Sequence, residues 1–287
     1  MRLTSGKLQK NPEIASLSPS IRERGDRADA SVTPDLPEVT LLAVTSVALE
    51  ATVRALTASL RQANFAKAVL LSDRPPATPL DSRIEWREIP PMRSRSDYSR
   101  FLMHSLAGHV STSHALCVQW DGYALDGGAW RQDFLDYDYI GAVWPHFGDD
   151  RNVGNGGFSL RSRRLLKALA DLPYTDGEPE DLLICRTFRR DLEKKGLRFA
   201  PEEVARTFSY ERSAPSGREF GFHGAFNLVQ KLSERQAIGL FSSLEPRILT
   251  RGEHKELLRW AISRGHWQFA ALIVFRLFRQ PMVRAGN

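Results

Sequence analysis

Four short stretches carry residue types suited to chemistry. In "ALCVQWDGYAL", Asp121 follows an apolar run from Ala115 to Val118. A carboxylate at the mouth of a buried strand needs a partner, because an unpaired buried charge is costly. A divalent cation is one such partner, and hard oxygen ligands suit Mg²⁺ or Mn²⁺. A turn-forming acid ahead of Gly122 is the plainer reading. The second stretch, "NVGNGGFSLRSR", gathers Asn152, Gly154, Asn155, Gly156 and Gly157 within six residues. Such a run permits positive φ and close approach of backbone to a ligand, which favours a binding loop over a simple turn. It lacks the Gly-Lys-Ser/Thr ending of a phosphate-binding P-loop. Arg161 and Arg163 in the same stretch suit bidentate bonds to phosphate, or plain solvation. The third, "EPED", sets Glu180 and Asp181 where a carboxylate can accept a hydroxyl proton, or simply complement a helix N-terminus. The fourth is His223 in "FGFHG", a possible ion ligand or a structural imidazole.

Positioning these groups requires a regular scaffold, and the pattern supplies one from Val39 onward. "VTLLAVTSV" and "AKAVLLS" (Ala66 to Ser72) are continuous aliphatic runs expected of strands buried on both faces. "IEWREIP" (Ile84 to Pro90), Ala115 to Trp120 and "DYDYIGAVW" (Asp136 to Trp144) are further strands. Helices are expected over Glu50 to Gln62, over Ser96 to Val110, after the glycine-rich turn and its short strand, and from Pro179 to a stop at Gly196. "LRFAP" and "VARTFSYE" suggest short strands. Strands alternating with helices imply an α/β domain with a mostly parallel sheet, and ligands sit at the carboxyl ends of such strands. Asp121 stands at one of those ends.

The chain has 287 residues, 42% hydrophobic and 26% charged, as expected of a globular protein with room for one large domain and an appendage. Residues 1 to about 37 are polar and aperiodic, with no signal-peptide core, and are expected to be a disordered tail. A domain over 38–228 and a helical extension over 229–287 follow. Cys117 and Cys185 lack metal-ligand spacing and suit reduced core positions, hence a cytoplasmic setting. The net charge of +6 points to an anionic partner. Nucleic acid is not expected, since the basic residues are interspersed with acids and no recognition motif occurs. Two amphipathic helices are expected in the extension, split at Ser263 to His266. The apolar face from Trp267 to Phe278 either packs on the domain or, with Arg264, Arg276, Arg279 and Arg284 nearby, rests on an anionic membrane at the inner face.

Over about residues 40–228 the chain resembles a bacterial glycosyltransferase-like family that bears the name of a domain of unknown function. The resemblance rests on "YSRFL", "VQWDGYAL", "FLDYDYIGAVWP", "VGNGGFSLRSRRLL", "EPED", "LRFAPEEVARTFSYE" and "FGFHG". It implies the A-type glycosyltransferase (GT-A) fold, in which an aspartate-any-aspartate pair follows the central strand. Here Gln119 holds the place of the first acid, which lowers the charge available to a metal. Carried over, Asp121 and His223 would ligate Mn²⁺ or Mg²⁺. Asp181 would be the general base, with Glu180 orienting it or the acceptor. Gln119, Trp120 and the loop residues Asn152, Gly154, Asn155, Gly156 and Gly157 would contact substrate. The implied reaction moves a sugar from a nucleotide-diphosphate sugar to a glycan, lipid or protein acceptor, with inversion if the attack is direct. The alternative, motivated by Gln119, is a non-catalytic nucleotide-sugar or glycan-binding module on the same fold.

Overall fold

The computed structural model describes residues 33–245 and 248–279. The tail expected over residues 1–37 lies outside the described residues up to 32. Its last residues belong to the first strand, β1 (Asp35–Thr45), which starts ahead of the expected Val39. The reason is Leu36, which is 1% exposed and joins the core. Pro37 lacks an N–H to donate, and the ladder to the next strand is accordingly irregular between Leu36 and Thr40.

Helix α1 (Leu49–Ser59) leads to β2 (Asn64–Ser72) and β3 (Ile84–Glu88). Helix α2 (Arg95–His104) is capped by the Ser94 hydroxyl, which accepts from the Asp97 N–H. Next come β4 (His114–Val118), the short β5 (Tyr123–Ala124) and β6 (Tyr139–Ile140), then β7 (Phe158–Ser162) and α3 (Arg163–Ala170). The large sheet runs β3-β2-β1-β4-β7-β6. Its β3/β2, β2/β1 and β1/β4 pairs are parallel, whereas β7 is antiparallel to both β4 and β6. The sheet is therefore mixed and mostly parallel. Alternation along β1 sends Leu41 and Ala43 into one core cluster and Leu42 and Val44 into another, so both faces are covered.

The expected helix from Pro179 to Gly196 is interrupted. A single α-turn, α4 (Glu180–Leu182), passes into a π-turn at Leu183–Thr187 and then α5 (Arg189–Lys194). Gly196 ends it with φ +80°, as expected of a helix-stopping glycine. The strand expected at "VARTFSYE" is mostly helix, α6 (Glu202–Phe208), followed by β8 (Ser209–Tyr210). Pro201 ahead of Glu202 and Glu203 is a helix start, and Val204, Ala205 and Phe208 bury one helical face. "LRFAP" contributes only a bridge from Phe199 to Tyr139.

A small second sheet, β5-β9-β8, is completed by β9 (Gly221–Phe222). After α7 (Ala225–Val229), the described residues of the extension hold three further helices rather than two: α8 (Glu234–Ser243), α9 (Arg251–Ser263) and α10 (Trp267–Arg279). Capping boxes at Ser233/Gln236 and Thr250/Glu253 start α8 and α9, a signal the periodicity alone does not reveal. The expected break between Ser263 and His266 does separate α9 from α10. Phe241, Leu257, Phe269 and Ile273 pack with Tyr210 and Phe222 of the small sheet in one cluster. Cys117 and Cys185 are both buried and free.

Candidate functional site

The register of the small sheet builds the first half of the site. Strands β5 and β9 are antiparallel with Tyr123 opposite Phe222, so the residue after Phe222 lies beside the turn that precedes Tyr123. That turn, Gln119 to Gly122, is closed by the Gly122 N–H donating to the Gln119 carbonyl at 3.2 Å. Gly122 is needed there, because a Cβ would stand 2.7 Å from the Phe222 carbonyl oxygen and 3.1 Å from the His223 ring. Asp121 and His223, about a hundred residues apart in sequence, meet with Oδ1 and Nε2 3.3 Å apart. Asp121 is 5% exposed, and its Oδ1 faces the His223 ring. The carboxylate is thus not spent on closing its own turn.

Other polar groups surround the same imidazole. Gln119 Oε1 lies 3.2 Å from Nε2, while its Nε2 donates to the Tyr98 hydroxyl at 2.8 Å. Glu211 Oε1 and Asn155 Nδ2 lie 3.3 and 3.2 Å from His223 Nδ1. Burial works against a charged imidazole, but the Asp121 and Glu211 carboxylates prevail and hold its pKa well above the usual value. Burial likewise disfavours the Glu211 carboxylate, yet its bond to His223 leaves its pKa below the ordinary range. Glu211 is a site residue that sequence reasoning missed. Its only signal is its place at the end of "SYE", where β8 runs parallel to β9.

The glycine-rich loop forms the second half. Asn155 adopts φ +68°, a left-handed conformation that asparagine tolerates. Its Oδ1 accepts from the Gly157 and Phe158 N–H groups at 3.0 and 3.4 Å. A Cβ on Gly157 would lie 2.0 Å from His223 Nε2, and one on Gly156 would lie 2.4 Å from Glu180 Oε1. These two glycines therefore let the loop pass between the histidine and the acid pair. On the far side the Gly156 N–H donates to Asp181 Oδ2 at 2.9 Å, and the Leu182 N–H to Oδ1 at 2.9 Å. Burial and then the neighbouring Glu180 charge raise the Asp181 pKa to about 6. Glu180 is buried, accepting from Arg161 at 3.0 Å and from the Ser99 hydroxyl at 3.2 Å.

Arg161 is wholly buried in β7, where it also donates to Ser159 Oγ and the Gly156 carbonyl. It is an internal counter-ion and does not present the phosphate-binding fork considered from sequence. Three other expected contact residues are not drawn to the histidine. The Trp120 ring packs edge-on against Phe241 of α8, with centroids 6.1 Å apart. Asn152 Nδ2 donates to Glu202 at 2.5 Å, and Gly154 lies under the Trp144 ring.

Among the described residues, no three of His, Cys, Asp and Glu gather at metal-ligating spacing. Once the imidazole gives up its proton, the Asp121–His223 pair offers a mixed set: a carboxylate oxygen, an imidazole nitrogen and the Gln119 amide oxygen, with Nε2 3.3 and 3.2 Å from the two oxygens. That donor chemistry fits a divalent cation, though with less negative charge than a pair of acids would supply.

No curated protein sequence matches the chain. Among solved structures, it is similar to a glycosyltransferase involved in glycosylation of the major capsid of PBCV-1, at 13% identity and a TM-score of 0.42. That match covers 67% of this chain and 96% of the other. It is also similar to a mannosyltransferase from Pyrobaculum calidifontis in complex with GDP-Man and Mn²⁺, at 11% identity and a TM-score of 0.43, covering 88% and 78% of the two chains. Residues 83–223, a stretch that ends on His223 and contains every site residue named above, match the family model described as "Protein of unknown function (DUF5672)".

Proposed function

We propose that the chain transfers a sugar from a nucleotide-diphosphate sugar to a hydroxyl-bearing acceptor. The observation that carries this reading is the meeting of Asp121 and His223 beyond the carboxyl end of β4, with Asp121 buried and its Oδ1 3.3 Å from His223 Nε2. The sequence resemblance to glycosyltransferase-like domains supports the same assignment. Asp121, His223 and Gln119 would hold the cation. When bound, the cation supplies positive charge against the leaving diphosphate.

The remaining roles fall to the chain itself. The Asn155–Gly157 turn keeps backbone close to the donor without side-chain bulk, and Asn155 holds the His223 ring in place. Asp181 accepts the acceptor's hydroxyl proton as the new bond to the anomeric carbon forms. The bond to the diphosphate oxygen breaks, and the nucleoside diphosphate departs with that electron pair. A carboxyl with its pKa near 6 is poised for such a transfer near neutral pH. Direct attack of this kind inverts the anomeric centre. Glu180, fixed by Arg161 and Ser99, adds the charge that raises the Asp181 pKa.

Calorimetry against a panel of nucleotide sugars with Mn²⁺, followed by a product assay, tests the reading. Asp121→Asn should lose metal-dependent donor binding. Asp181→Asn should keep binding and lose transfer by about 10²–10⁴-fold. Unchanged donor affinity in Asp121→Asn would refute the assignment. One observation favours a second reading, a non-catalytic binding module: both Asp181 oxygens already accept a backbone N–H, and Glu180 is engaged on both oxygens. Donor binding without turnover across acceptors would decide for the module.

A further inference from the structure

The outer side of the last two helices differs from the rest of the described surface. Six large hydrophobic residues are exposed among the described residues, and five of them, Ile262, Trp267, Val274, Phe275 and Phe278, belong to α9 and α10. Helix α10 is anchored by its other side: Phe269, Ala270 and Ile273 are buried, and the Arg276 guanidinium donates to the carbonyls of Phe241, Leu244 and Glu245. Packing on the domain thus accounts for half of the apolar character expected from Trp267 to Phe278. Trp267 at 65%, Phe275 at 51% and Phe278 at 85% exposure are the other half.

The charge around this stripe is mostly basic, with Glu234, which accepts from the Gln268 and Phe269 N–H groups at the start of α10, as an acid beside it. Helix α9, which packs against α10, exposes Arg251, Lys255 and Arg259 at four-residue steps, with Arg264 just beyond its end. The acids of α9 are engaged elsewhere, Glu253 in the Thr250 cap and Glu256 with Arg212. Arg279 lies over the Phe275 ring at 4.2 Å. Residues 229–287 contain ten Lys and Arg against four Asp and Glu, a net +6 equal to that of the whole chain, and the preceding residues balance.

We propose that α9 and α10 form a peripheral docking surface for an anionic phospholipid bilayer. Trp267, Val274, Phe275 and Phe278 enter the boundary between headgroups and acyl chains, and Arg251, Lys255, Arg259, Arg264 and Arg279 meet the anionic headgroups. Aromatic side chains favour that boundary, and clustered basic residues favour an anionic leaflet. The attachment is interfacial, since no helix among the described residues is long and apolar enough to cross a membrane. A second copy is a poorer occupant: two-fold pairing would set like-charged α9 faces near each other. Nucleic acid would engage the basic positions but leave the aromatic stripe in water.

Flotation of the full chain with phosphatidylcholine vesicles, with and without phosphatidylglycerol, tests this independently of sugar transfer. Co-flotation is expected with the anionic vesicles alone, and should be lost near about 1 M salt, where the Debye length falls to about 3 Å. The combined variant Trp267→Ser, Phe275→Ser, Phe278→Ser should stay unbound with an unchanged circular dichroism spectrum. Lys255→Glu with Arg259→Glu should weaken binding about tenfold or more. The proposal fails if the full chain floats with neither vesicle, or if the serine variant floats as well as the parent. It also fails if sedimentation reveals a dimer that the serine variant splits, or if the stripe's basic residues bind nucleic acid but not vesicles.

Discussion

Two buried polar clusters flank the Asn155–Gly157 turn, and they balance their charge by different means. On the Gly156 side, Glu180 is neutralised by Arg161, a guanidinium that stays protonated at any working pH and is held at 0% exposure. On the Gly157 side, Asp121 and Glu211 share His223, an imidazole that can exchange its proton for a metal ion. The first cluster is closed: its cation belongs to the fold. The second is open, because the charge that balances its two carboxylates is exchangeable. A fixed counter-ion gives a rigid wall, and a labile one gives a binding site.

Removing the fixed cation should have the largest effect. Arg161→Met leaves Glu180 buried without its counter-ion, and urea unfolding should show a loss of about 3–5 kcal/mol. A loss under about 1 kcal/mol would mean that Glu180 simply takes up a proton and that the two sides are less different than their geometry suggests.

Closing the gap between the clusters comes next. In Gly157→Ala the added methyl would sit 2.0 Å from His223 Nε2. Overpacking of this kind costs about 1–3 kcal/mol, and it should displace the ring, so nucleotide-sugar affinity should fall with it. Gly108→Ala, whose Cβ meets nothing within 4 Å, is the control and should leave binding unchanged. Equal affinities in the two variants would detach the loop from the histidine's function.

The smallest effect on stability is the titration of Asp181. Its folded-state pKa, raised to about 6 by burial and by Glu180, lies above the ordinary 3.8. Between those values the folded protein keeps a proton that the unfolded chain has released, so this group's contribution to stability declines as pH rises through about 6. If Asp181 is the base, kcat/KM should fall as pH drops below about 6, and Asp181→Asn should abolish that limb of the profile along with most of the rate. A parent profile flat across pH 5–7 would contradict the assignment, where pH 5–7 means roughly one unit either side of that pKa.

How far the sequence reaches is visible residue by residue. The aliphatic runs of β1, β2 and β4 announce a sheet covered on both faces, because only a doubly buried strand tolerates such continuity. Asp121 and His223 each stand out as polar groups at the edge of apolar stretches. Arg161 shows the opposite case. Its neighbours Arg163 and Arg164 are solvent-side residues of α3, and composition cannot tell one arginine of "RSRR" from the next. Only the pairing of β7 between β4 and β6 turns Arg161 inward to Glu180. The helix over Glu202–Phe208 was likewise masked by β-branched and aromatic residues, which favour strands when tertiary packing does not override them.

Local pattern therefore settled the α/β class, the burial of the two cysteines and the break between α9 and α10, since each depends on neighbours in the chain. Partnerships were decided in three dimensions. The antiparallel register of β5 and β9 sets His223 beside Asp121, β8 brings Glu211 to the same ring, and two glycines permit the loop to lie between opposed acids. Such contacts depend on strand register and on the absence of side-chain bulk at distant positions, and neither is encoded by spacing along the chain.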